Sequence, residues 1–257
     1  MKKIAGLLSV ILSVFISGCF DTVQEITINN DGSGAFTSTT DMGNMIKMVK
    51  MMGSDQTKGI DSLVMDTVFS LAAFKDSVPG LTNGEIKLLE NAKFKTAINA
   101  AEEKLQVAFS FPFSDVSDVS SINNLLKKTK DKAIGSQLKN MIPGGEGEAN
   151  PMSDDSAATP DINDYFIFSI ANGKISNKID KEKYKEAVND KIMKSLQEMS
   201  QMGMPMNIKT IINLPRPASK ANGKGLALSE DKKKIVIEAT IDDFFDNPEK
   251  FEYEIDY

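Results

Sequence analysis

Few side chains in this chain are equipped for chemistry. Among its 257 residues there is one thiol, Cys19, and there is no histidine. Without histidine the commonest general base and metal ligand is missing, so Ser-His-Asp triads, Cys-His nucleophiles and histidine-bearing zinc sites are excluded. What remains is carboxylate, lysine, tyrosine, serine and thioether. Acids near each other in sequence include Asp242, Asp243 and Asp246, and Asp115 with Asp118. Carboxylate catalysis needs two acids about 5–10 Å apart around a substrate, but with 36 acidic residues such neighbours arise by chance, and Asp242/Asp243 read as helix caps. Ser219-Lys220 is the one serine–lysine candidate for a nucleophile, and adjacent loop or strand residues point apart. The chain therefore reads as non-enzymatic.

The methionines are the unusual feature. Of 14, five fall at Met42, Met45, Met48, Met51 and Met52, and five at Met193, Met199, Met202, Met204 and Met206. Thioethers select soft ions such as copper(I), and Met202-Gly203-Met204-Pro205-Met206 holds three sulfurs in one bend. Methionine is also a flexible apolar filler and an adaptable surface for hydrophobic ligands. The spacing of three and four over 42–52 favours one face of a core helix. Soft-metal or small-hydrophobe binding is the alternative function, and a histidine-independent hydrolase the second. No cofactor and no resident metal site is expected. Asn29, Asp31 and Ser33 alternate as oxygen ligands of a calcium loop would, but no glutamate closes such a loop and turn chemistry accounts for each of them.

The elements that must position these residues follow a leader. Lys2 and Lys3, an apolar run from Ile4 to Phe15 and the small residues Ser17-Gly18 give the layout of an export signal over residues 1–18: positive end, apolar middle, small residues before a cut. The run is short of the roughly 20 apolar residues a membrane span needs. A single cysteine allows no internal disulfide, so the body must be held by burial. The formal charge is −6, two units more negative once Lys2 and Lys3 leave, and Arg216 is the only arginine. An acidic, arginine-poor body argues against nucleic acid, and the lack of a glycine-rich phosphate loop argues against nucleotides.

Residues 19–22 read as a tether and 23–257 as one α+β domain: an antiparallel sheet built from several hairpins, with helices packed on one face. Hairpins are expected at Val23–Thr40 around Asn29–Gly34, at Phe94–Phe111, at Tyr165–Ile179 around Asn172-Gly173, and at Gly225–Thr240. Pro112 is expected to end its strand, Ile208–Leu214 to form another, and Phe251–Tyr257 a last one. Helices are expected after an Asp41 cap, over Gly59–Lys75, after the capping box Thr82-Asn83-Gly84-Glu85, over 118–142, over Lys181–Met202 and briefly near Ile241–Pro248. The acidic, Gly/Pro-rich stretch 143–162 reads as a mobile surface loop.

Ile16-Ser17-Gly18-Cys19 resembles the lipobox of bacterial lipoproteins. That resemblance implies that Cys19 is the lipidation site, carrying a diacylglyceryl group on sulfur and a further acyl chain, palmitate among them, on the new amine. The whole layout resembles uncharacterised lipoproteins of Gram-negative envelopes: lipobox, strand, Asn-Asp-Gly-Ser-Gly turn, strand, Met-rich helix and a terminal Asp-Asp-x-x-Asp-Asn-Pro-Glu segment. It implies a membrane partner through the acyl chains and an envelope protein partner. Phe20, where an aspartate would retain such proteins at the inner membrane, implies the outer membrane and its periplasmic face.

Overall fold

The computed structural model describes residues 20–51, 62–129, 162–171 and 173–257. The leader 1–18, Cys19, Met52, the first residues of the expected helix at 59–75, residues 130–142, nearly all of 143–162 and Asn172 lie outside them.

Strands β1 (Phe20–Ile28) and β2 (Gly34–Asp41) form the expected hairpin. Its turn is self-satisfied: Asp31 Oδ1 accepts from the N–H and hydroxyl of Ser33, and Asn29 Nδ2 donates to Ser33 Oγ at 3.0 Å. The oxygens weighed for calcium are thus engaged in holding the turn, with Gly32 at φ +84° supplying the left-handed step. Gly34 closes the hairpin where no side chain fits. A Cβ there would strike the Thr27 carbonyl oxygen and lie 2.5 Å from Phe113 Cζ. Gly34→Ala is expected to cost about 1–3 kcal/mol by overpacking, seen as a lower urea midpoint; an unchanged midpoint would show that the hairpin end yields.

Helix α1 (Gly43–Met51) follows, started by Asp41 Oδ1 accepting from Gly43 N–H at 2.9 Å. The described part of the expected helix 59–75 is instead strand β3 (Val64–Ser70) and a 3-10 turn at Leu71–Phe74. Its side chains alternate, with Val64, Asp66, Val68 and Ser70 exposed and Met65, Thr67 and Phe69 half-buried. Pairing with a distant strand overrides the helical spacing of Val68, Leu71 and Phe74. Then come α2 (Asn83–Asn91), β4 (Lys93–Asn99), β5 (Lys104–Phe113) and α3 (Asp118–Thr129). Pro112 does not end β5. It sits beyond Ser110, where β4 has stopped and one side of the strand has no partner strand, so a missing N–H is tolerated.

In the second half, β6 (Phe166–Ala171) and β7 (Lys174–Ile179) form the expected hairpin. The single helix expected over 181–202 is two, α4 (Lys181–Ala187) and α5 (Lys191–Gln201). Asn189 Nδ2 bonds the Lys185 carbonyl and closes the first, while Asp190 Oδ1 takes the Met193 N–H and opens the second. Strand β8 (Met206–Asn213) is followed by β9 (Lys220–Gly223), absent from the sequence reading, then β10 (Leu226–Leu228), β11 (Lys234–Thr240), α6 (Ile241–Asp246), a 3-10 turn at Pro248–Phe251 and β12 (Tyr253–Asp256).

These strands make two sheets, ordered β10-β11-β8-β1-β2-β5-β4-β3 and β6-β7-β12-β9. All pairings are antiparallel except β1 with β8. The fold is thus α+β and mostly antiparallel. Period-two alternation gives the large sheet one apolar face, on which Phe111, Phe36, Ile26, Ile212 and Ile235 form a buried row across five strands. Helices α2 and α3 and the smaller sheet bury that face in one core with Leu89, Ile122, Leu125, Ile175 and Ile255. The opposite face carries polar cross-strand pairs: Lys209 with Glu238 at 2.6 Å, Lys95 with Asp66 at 3.2 Å, and Asn213 Nδ2 donating to Glu25 Oε1 at 2.6 Å. A second core gathers Phe166, Ala187, Met193, Ile241, Phe244 and Phe251.

Candidate functional site

The chain leaves Cys19 and enters the fold at once. Residues 20–22, expected as a tether, are the first three of β1: Phe20 is in register with Met206, and Asp21 with both Asp41 and Asn207. Asn207 Nδ2 donates to Asp21 Oδ1 at 2.7 Å, and the Thr22 and Thr40 hydroxyls meet at 3.2 Å. Strand β1 lies mid-sheet, hydrogen-bonded on both sides. Whatever Cys19 carries is joined, without a spacer, to a strand paired on both sides in the larger sheet.

The methionines divide by role. Met42 and Met193 are buried, and Met206 packs half-buried against the second core beside Ile208 and Phe245. Met202 stands out at 69% exposed, in the bend that joins α5 to β8, where Gly203 takes φ +88°. The three sulfurs of 202–206 are therefore divided between solvent and core. Core packing accounts for Met42 and Met193.

The acids and nucleophile candidates are engaged in structure. Thr240 and Asp243 form a capping box on α6, and Asp243 pairs with Lys250 at 2.7 Å. Burial pushes the Asp243 carboxyl up, but Lys250 and Thr240 outweigh it and hold it below its ordinary value. Asp242 Oδ2 accepts from the Ser200 hydroxyl at 2.6 Å. Asp115 accepts from Ser117, and Asp118 Oδ2 from the Asp115 N–H, at the entry to α3. The Ser219 hydroxyl donates to the Asp256 carbonyl, and Lys220 lies 3.7 Å from Glu254. Arg216, between its prolines, donates to the Tyr257 carbonyl oxygen at 2.8 Å and lies over that ring. Among the described residues, no group of three or more His, Cys, Asp or Glu is arranged to hold a metal ion.

Sequence reasoning missed one feature. A cavity of about 30 Å³ lies between the two sheets and α3, lined by Gln24, Asn123, Asn163, Asn177, Thr210 and Tyr253 among apolar neighbours. A water needs about 10–15 Å³ of such space, and drug-sized ligand pockets run to roughly 300–1,000 Å³. This void suits one or two waters. Asn177 Nδ2 donates to the Phe251 carbonyl at 2.8 Å, and burial pushes the Tyr253 hydroxyl well above its ordinary pKa, keeping it a neutral donor. The signal was present in the strand pattern: Gln24 interrupts the inward series with Ile26 and Ile28, and Thr210 the series Ile208–Ile212.

The fold is thus a two-sheet α+β protein in which Phe20, next in sequence after Cys19, opens a strand paired on both sides. The chain course is similar to the NMR structure of the folded domain of the Mycobacterium tuberculosis LppM protein, with a TM-score of 0.40 and 8% identity over 95% of this chain and 94% of that one. A likeness at that level assigns neither family nor activity. No protein-family model matches the chain, and no curated protein does. Among the described residues, no helix is long and apolar enough to cross a membrane.

Proposed function

We propose that this chain is a non-enzymatic lipoprotein of a bacterial envelope, anchored through acyl chains on Cys19, and that its body is a binding or assembly module for an envelope protein. The outer membrane, periplasmic side, is its proposed station. The observation that carries this reading is the direct passage from Cys19 into β1. A lipid on residue 19 is coupled to a strand paired on both sides, so the body stays at the bilayer surface instead of ranging from it on a leash. A fixed body suits a scaffold or docking role. The engagement of Asp242, Asp243, Asp115, Ser219 and Lys220 in caps and pairs supports the non-enzymatic part. Two or more acyl chains give stable anchoring where one gives marginal binding.

The test is fractionation of envelopes bearing the parent or Cys19→Ser protein, with mass spectrometry of the mature N-terminus. The parent is expected in the membrane pellet with an acylated residue 19, and the variant in the soluble fraction. Equal sedimentation of both, or a bare Cys19, would overturn the anchor. In situ cross-linking of the anchored parent should yield a discrete envelope partner; its absence would remove the assembly role.

A further inference from the structure

We infer that the end of the eight-stranded sheet where β1 begins is a lipid-contact rim, which seats its exposed Val64 and Met202 in the same bilayer that holds the Cys19 acyl chains. This rests on the anchor proposed above. The inference comes from strand register. Asp21 is level with Asp41, Asp41 with Gln106, Gln106 with Ala97, and Ala97 with Asp66. Two residues further toward that end stand Val64, Asn99 and Lys104 on their strands, at the end of the sheet where β1 begins with Phe20. On the other side of β1, Phe20 is level with Met206, so the bend 202–205 projects past the same end.

The two most exposed large hydrophobic side chains described are Val64 and Met202, each 69% exposed. They lie 138 positions apart in sequence, and both stand at this one end, Val64 opening β3 and Met202 in the bend before β8. Strand β3 is four places from β1 and β8 is adjacent, so at roughly 4.8 Å per strand the pair brackets the attachment point over about 24 Å. With no spacer between Cys19 and β1, this rim must lie within a few ångströms of the headgroups. Water-exposed apolar side chains held there gain by entering the interface. The charges nearby are of both signs: Glu103 pairs with Lys47 at 3.6 Å, Lys104 follows, and Asp242 and Asp243 begin α6. A net acidic rim is not drawn to anionic lipid, so apolar insertion rather than charge is the contact, and the strands stand steeply on the membrane.

The experiment uses the full lipoprotein, purified with its acyl chains and reconstituted in phosphatidylethanolamine/phosphatidylglycerol vesicles. Single cysteines replace Met202, Val64, Ser33 or Leu228 and take a thiol-reactive fluorophore; the Cys19 sulfur, already a thioether, does not react. Spin-labelled lipid is expected to quench labels at 202 and 64 strongly and to leave Ser33 unaffected, since the turn at 29–33 stands about 30 Å away along β1. Leu228, level with Ile26 through Ile235 and Ile212, should also escape. High salt should not change the pattern. Quenching equal at all four sites, or no greater at 202 and 64 than at 33, with residue 19 shown acylated by mass spectrometry, overturns the rim and leaves the anchor standing. A bare residue 19 removes both. A Met202→Asp/Val64→Asp form, its fold checked by circular dichroism, keeps the anchor but should raise a label at Ala101 on the same end toward the water, read as weaker quenching by a spin label deep in the acyl chains than in the parent; unchanged deep quenching would also overturn the assignment.

Discussion

Replacing Phe244 with alanine is expected to remove about 3–5 kcal/mol of stability, the range for deleting a fully buried aromatic ring. Phe244 is wholly buried and ringed by Tyr165, Phe166, Tyr184, Phe245 and Phe251, with centroids 5.1–6.3 Å away. Those rings come from β6 and its preceding turn, from α4, from α6 itself and from the turn before β12. The second core is therefore assembled around one side chain. Its backbone contributes as well, since the Tyr184 hydroxyl donates to the Phe244 carbonyl at 2.7 Å and ties α4 to α6. Alanine retains that bond but leaves a void that rigid neighbouring rings cannot collapse to fill. Phe245→Ala, next in sequence but only half-buried, is expected to cost about 1–2 kcal/mol. Urea unfolding of the detached Cys19→Ser form reads both. A Phe244 loss no larger than that of Phe245 would mean that the second core repacks freely.

The loss at Phe244 also marks what local sequence conveys and what it does not. Features closed within a few residues were legible. The turn at Asn29–Ser33, the capping box of Thr82 and Glu85, and the alternation of Leu105, Val107, Phe109 and Phe111 each formed as their spacing required. What escaped depended on distant partners. Val64–Ser70 pairs with β4, a contact no periodicity announces, and the helical spacing of its apolar residues misled. The parallel pair of β1 with β8 joins residues 186 apart, such as Asn207 and Asp21. Strand β9, with the small residues of Lys220–Gly223, has little intrinsic strand preference and exists because β12 offers it an edge. The break at Asn189-Asp190 was a local signal, a helix stop and start that the apolar series across it obscured. At the candidate site the same division holds. The proposal for Cys19 came from the leader alone, whereas placing Val64 and Met202 at the same end of the sheet required the register of every strand between them.

Glu85 carries the other large expected effect, and it turns a local cap into a tertiary lock. Its side chain is 5% exposed and serves three partners at once. The Thr82 N–H and hydroxyl reach Oε2 at 2.7 and 3.0 Å, and Lys128 Nζ bridges both carboxylate oxygens at 2.8 and 2.9 Å while also bonding the Gly80 carbonyl. The cap on α2 is thereby pinned to α3. Burial pushes the carboxyl up, yet the hydrogen bonds from Lys128 and Thr82 outweigh it and hold the group below its ordinary 4.5. A depressed carboxylate contributes stability that is complete above that value and is lost as pH falls through the lowered folded pKa. Lys128→Met is expected to cost about 2–4 kcal/mol at pH 7, because it strands a buried carboxylate. With the lysine gone, its hydrogen bond and charge no longer hold the Glu85 pKa down, and burial moves it upward against the Thr82 bonds that remain. The carboxyl then protonates on mild acidification, so the cost should shrink at pH 4 against the parent at the same pH. Glu85→Gln should cost less at pH 7, since the amide still fits the cap, and should flatten the parent's acid sensitivity. Measured by urea unfolding at both pH values, a Lys128→Met cost that stays constant would mean that Glu85 and Lys128 contribute through packing alone.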